Sequence, residues 1–73
     1  MTVKIIDKYN NHKTYWVNNW IWKERNRKLK VHNLYAEDLY NGKINIVYVE
    51  GYNDGEVKVR VIEKEVTEIW KPY

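Results

Sequence analysis

The chain is 73 residues long, carries 13 Lys and Arg against 10 Asp and Glu for a formal net charge of +3, and contains no cysteine, serine, glutamine or phenylalanine. A single domain of this size buries only about 60% of the surface that its unfolded chain exposes, and without cysteine it has no disulfide staple, thiolate metal site or thiol nucleophile. Serine and cysteine triads are excluded outright, the mild mixed charge argues against a general nucleic-acid-coating role, and no stretch approaches the roughly 18 apolar residues of a membrane span.

In chain order, Val3, Ile5 and Ile6 read as a first strand, and Tyr9 to Lys13 as a polar connection. Thr14 to Glu24 predicts a second strand, with Tyr15, Val17 and Ile21 on its inner face and Trp16, Asn18, Trp20, Trp22 and Glu24 on the other. Arg25-Asn26-Arg27 reads as a hairpin loop into a third strand, Lys28 to Leu34. A loop of odd length sets Ile21 opposite Val31, Trp22 opposite Lys30, Trp20 opposite His32 and Glu24 opposite Lys28.

Leu34 to Tyr40 predicts one or two helical turns, capped by Asn33 and ended by Asn41-Gly42. The competing reading is a hairpin turning at Asn41-Gly42. The helical turn is preferred because Ala36-Glu37-Asp38 makes a poor strand. Lys43 to Glu50 is apolar on both faces, as a central strand requires. Tyr52-Asn53-Asp54-Gly55 predicts a type I turn whose glycine forms a left-handed bulge. In the last strand Val57, Val59 and Val61 alternate with Lys58 and Arg60. The phase then shifts so that Ile62, Val66 and Trp70 share a face, which predicts a bulge or bend near Val61-Ile62.

The expected fold is therefore one mainly-β domain over residues 1–73, a small five-stranded, strongly bent antiparallel sheet or partly open barrel with one short helical turn. By fold-level analogy it is SH3-like or OB-like. Without phenylalanine, seven tyrosines and four tryptophans must help fill the core, and their polar tips need a partner or water.

Nothing in the chain points to catalysis. Asp7, Glu37, Asp38 and Asp54 fall at strand ends or turns, where solvated charges are ordinary, and a domain this small has little room for a substrate cavity. His12 and His32 lack zinc-ligand spacing. A calcium-loop alignment on Gly55 places Tyr52 and Val61 where oxygen ligands are needed. No glycine-rich phosphate loop is present, so neither a metal nor a cofactor is expected.

What stands out is the aromatic and basic segment. If the second and third strands pair, one sheet face presents Trp20, Trp22, Lys28, Lys30 and His32, with Arg25 and Arg27 at the hairpin tip. Such a face suits a protein–protein hot spot or base stacking with phosphate contacts, and a pocket of the same groups would suit a small anionic nucleotide. An exposed edge strand would also support a homodimer by sheet extension.

Lys, Asn, Ile, Tyr and Met, all spelled by AT-rich codons, make up about half the chain, which points to a phage or mobile element of an AT-rich host. The apolar run at Met1 to Asp7 is too short for a signal peptide. The expected role is that of a non-enzymatic binding protein in the host cytoplasm, occluding or inhibiting a host macromolecule, with a nucleic-acid-binding module as the alternative and no membrane partner.

Overall fold

A computed structural model describes residues 1–6, 9–21, 28–39 and 42–70, the side chains of 68–70 excepted. Its six strands are β1 (Thr2–Ile6), β2 (His12–Trp16), β3 (Asn19–Ile21), β4 (Leu34–Asp38), β5 (Lys43–Asn53) and β6 (Glu56–Trp70). They form one sheet in the order β2-β1-β6-β5-β4-β3, curled into a half-barrel. Four neighbouring pairs are antiparallel and β3–β4 is parallel. The mainly-β class and the strong bend agree with the sequence. The strand count is six instead of five, one pair is parallel, and the described residues contain no helix, hence none that is long and apolar enough to cross a membrane.

The curl is closed by the chain itself. β2 and β3 lie at opposite edges of the sheet, yet only Val17 and Asn18 separate them. The Val17 N–H donates to the Met1 carbonyl at 2.8 Å while the Met1 ammonium donates to the Val17 carbonyl at 2.9 Å. One residue later the Asn18 N–H donates to the Leu34 carbonyl at 2.7 Å. The segment thus leaves β1 and joins the β4 side within a single peptide step.

That step breaks the alternation that made Thr14 to Glu24 look like one strand. Val17 and Trp20 pack into the same cluster, with Val3, Ile5, Ala36, Ile44 and Ile46, whereas Ile21 joins Leu29, Tyr35, Val47 and Val49 on the other face. Neighbouring residues on β4 and β5 divide between the two clusters, as period-two side chains must. The first cluster also draws Tyr15 from β2 and Val66 from β6. With contributions from all six strands, it fills the concave side.

Residues 34–38 are strand, not helix. Tyr35, Ala36 and Glu37 are buried, and β4 pairs with β3 on one side and β5 on the other. Ladders on both sides and burial override the weak local strand preference of Ala-Glu-Asp. The competing hairpin reading holds for the pairing, since β4 runs antiparallel to β5 with Asp38 opposite Ile44. Gly42 supplies a left-handed residue at φ 78°, while Tyr40 and Asn41 lie outside the described residues.

Residues 28–33, expected as a strand, form an irregular segment with a turn at Val31-His32. The position they would have taken beside β3 is held by β4. Trp20 stands opposite Ala36 and Ile21 opposite Glu37, in place of the expected His32 and Val31. The expected Arg25-Asn26-Arg27 loop, Trp22 and Glu24 lie outside the described residues.

β5 is the buried central strand expected from its composition. At its end Asn53 pairs with Glu56, and the two intervening residues are left-handed, Asp54 at φ 52° and Gly55 at φ 80°. This is a two-residue type I′ turn, which suits Asp-Gly, instead of a type I turn with a bulge. The bulge expected near Ile62 is present: Val61 pairs with Val47 and Glu63 with Ile46, leaving Ile62 as the extra residue. Val66 packs against the concave cluster, but Ile62 is 40% exposed, and the Trp70 ring lies outside the described side chains. A second irregularity sets Lys64 and Glu65 against Asn45, with Glu65 at φ 49°.

Candidate functional site

The sheet face expected to carry Trp20, Trp22, Lys28, Lys30 and His32 does not form, because its second strand does not exist. Trp20 is half-buried against the concave core, its indole nitrogen sealed from solvent. Lys28, Lys30 and His32 are exposed and share the 28–33 segment. Trp22, Arg25 and Arg27 lie outside the described residues.

Three tyrosines fix that segment. The Tyr52 hydroxyl donates to the Leu29 carbonyl at 2.8 Å and accepts from the Leu29 N–H. Tyr35 accepts from the Lys30 N–H at 2.9 Å, and Tyr48 bonds the His32 Nδ1 at 2.6 Å. Two backbone bonds, His32 N–H to the Val49 carbonyl at 2.8 Å and Val49 N–H to the Asn33 carbonyl at 3.1 Å, tie it to β5. His32 is left-handed at φ 67°, so its ring is a turn residue held by Tyr48, not a strand-face group. With Leu29 driven into the second cluster, the segment is a fixed flap over the convex side.

Between this flap and β3 lies a cleft of about 220 Å³. Ile21, Leu29 and Tyr35 form its buried floor, and Asn18, Asn19, Lys28 and Lys30 its exposed rim. Lys28 and Lys30, two residues singled out from sequence, are thereby brought together. Asn18, Asn19 and Tyr35 are additions; their nearness follows from the parallel β3–β4 pair, which no local pattern announces.

A second feature is Trp16, which is 63% exposed on β2. Met1 and Val17 exchange both backbone bonds, so alternation along the ladder makes Val3–Tyr15 and Ile5–Lys13 the bonded pairs. The N–H and C=O groups of His12, Thr14 and Trp16 therefore point away from β1, toward an edge that no other strand covers among the described residues. The sequence placed Trp16 on one strand face with Trp20 and Trp22 but left it out of the expected binding residues; the kink after it separates its surroundings from those of Trp20.

On the concave side the Tyr15 hydroxyl donates to Glu63 Oε1 at 3.0 Å, and Lys13 Nζ pairs with the same oxygen at 2.7 Å. Burial first, then the hydrogen bond and negative charge of Glu63, raise the Tyr15 hydroxyl above its ordinary value of 10.0, against a downward pull from Lys13. The folded state therefore holds this proton longer than the unfolded chain. The associated stability is complete below pH about 10 and is lost as pH rises through the raised folded value. Tyr15→Phe should flatten that alkaline loss, read as urea midpoints at about pH 9 and 11. An unchanged slope would remove Tyr15 as its source.

Among the described residues no three His, Asp or Glu side chains gather as a metal ion would require. Comparison of the chain with protein-family models, with curated proteins and with solved structures finds no match.

Proposed function

We propose that this chain is a non-enzymatic binding protein of a phage or other mobile element, which occupies a host protein stoichiometrically by taking an extended segment of it as an added strand beside β2. The observation that carries this reading is the exposed Trp16 ring on a strand whose outward backbone groups are set for pairing. Strand addition supplies affinity through the main chain and specificity through alternate side chains. Trp is among the residues that dominate interface energetics. Lys4, exposed on β1 opposite Thr14, lies beside the ring's row, which favours an acidic segment. The AT-rich coding bias supports the mobile-element setting.

Thr14→Pro is the discriminating variant. The Thr14 N–H points outward, so proline there removes a docking group without removing a bond to β1. Peptides selected from a random display library on the unmodified protein should be acidic and strand-forming. Thr14→Pro should abolish their binding, and Trp16→Ala should weaken it by ~30-fold, the equivalent of about 2 kcal/mol. Equal binding by Thr14→Pro would end the proposal. Concentration-dependent dimerisation abolished by the same proline would assign the edge to a second copy of this chain, in place of a host segment. A second reading, contact with nucleic acid or a nucleotide, draws on the lysines that rim the cleft.

A further inference from the structure

We infer that the cleft between β3 and the 28–33 flap is a nucleotide site, taking a phosphate between Lys28 and Lys30 and a base against the floor of Ile21, Leu29 and Tyr35. The argument is independent of the β2 edge. It starts from the lining, which combines two lysines with a buried apolar floor and, among the described residues, includes no carboxylate. A surface lysine pair is ordinary by itself. Here the pair is anchored at fixed backbone positions, because the Tyr52 and Tyr35 hydroxyls bond Leu29 and Lys30 and the Leu29 side chain is sunk in the core.

The remaining polar groups add donors. Asn19 Oδ1 accepts from the Trp20 N–H at 2.8 Å, which leaves the Asn19 amide nitrogen as a donor on the rim. The Tyr35 oxygen accepts from both Asn18 Nδ2, at 3.2 Å, and the Lys30 N–H. With two donors already directed at it, the Tyr35 hydroxyl is set to give its own proton to an acceptor. Such a site prefers an anion whose oxygens take several hydrogen bonds. The apolar floor adds a preference for an anion carrying a flat, weakly polar body. A carboxylate or inorganic phosphate satisfies the rim alone, whereas a nucleotide satisfies rim and floor. The volume of about 220 Å³ is small, so the sugar edge stays in solvent.

The nucleotide can be free or one unit of a strand, and the test separates these sources. Backbone amide shifts of the isotopically labelled full chain would be followed during titration with AMP, inorganic phosphate, adenosine and a short single-stranded oligonucleotide. AMP should move the amides of Asn18, Asn19 and residues 28–30, and should bind at least tenfold more tightly than phosphate or adenosine. Lys28→Gln combined with Lys30→Gln, both at exposed positions, should abolish the AMP shifts while leaving the rest of the spectrum in place. Tyr35→Phe should weaken AMP severalfold, and Tyr35→Leu provides a floor variant should the hydroxyl prove structural. An oligonucleotide affinity more than tenfold above that of AMP, falling with salt, assigns the site to a strand; equal affinities assign it to the free nucleotide. The inference is overturned if millimolar AMP and the oligonucleotide leave these amides unmoved, if phosphate binds as well as AMP, or if the double-lysine variant binds AMP unchanged.

Discussion

Ile46→Ala should cost about 2–5 kcal/mol. Ile46 is fully buried on β5, between Ala36 of β4 and Glu63 of β6, with its side chain in the concave cluster. Truncation removes its transfer free energy and leaves a cavity that the surrounding ladders cannot close, because three strands hold the backbone in place. A domain of this length has a total stability of about 4–11 kcal/mol, so the variant should sit close to its unfolding threshold. Urea denaturation should show a much lower midpoint with an unchanged slope. Ile62→Ala is the control: at 40% exposure on the bulge, it should cost less than about 1 kcal/mol. Equal losses at the two positions would mean that the concave cluster is not the main core.

Asn45→Ala should cost about 2–3 kcal/mol, far more than its few atoms suggest. Asn45 is 8% exposed and Glu37 4%. The Asn45 amide nitrogen donates to Glu37 Oε1 at 3.2 Å, and its oxygen accepts from the Glu65 N–H at 2.8 Å. One side chain therefore satisfies part of a buried carboxyl group and fixes the left-handed residue of a bulge. Its removal strips a donor from a carboxyl oxygen buried away from bulk water, and frees a strained backbone position. Asn45→Asp should be worse than Asn45→Ala, because it sets a second carboxyl group against that of Glu37 in a buried site. Thermal midpoints of the two variants give the test, and the reverse order would show that Glu37 does not depend on this contact.

The parts of the fold legible in the sequence are those in which local and tertiary preferences agree. β5 is apolar on both faces because it is buried on both, Asp54-Gly55 marks a turn, and the phase shift at Ile62 marks a bulge. β4 was hidden because Ala36, Glu37 and Asp38 owe their conformation to the strands beside them. Lys28 to His32 shows strand-like alternation without a strand to pair with, since the parallel β3–β4 ladder already occupies that place. The kink at Val17-Asn18 leaves no trace in the spacing of apolar residues; both Val17 and Ile21 are buried, though on opposite faces. The candidate site suffered most from this. One unseen bend turned Trp20 inward, left Trp16 outside, and moved Lys28 and Lys30 from a sheet face to the rim of a cleft.

The same bend decides whether the two edges of the sheet can move independently. The bonds that residues 17 and 18 make to the carbonyls of Met1 and Leu34 close two loops of moderate length, one on the β1–β2 side and one on the β3–β4 side. Because the two residues are adjacent in the chain, both sides meet at one peptide. A change at Val17 or Asn18 would therefore loosen both ends of the half-barrel at once.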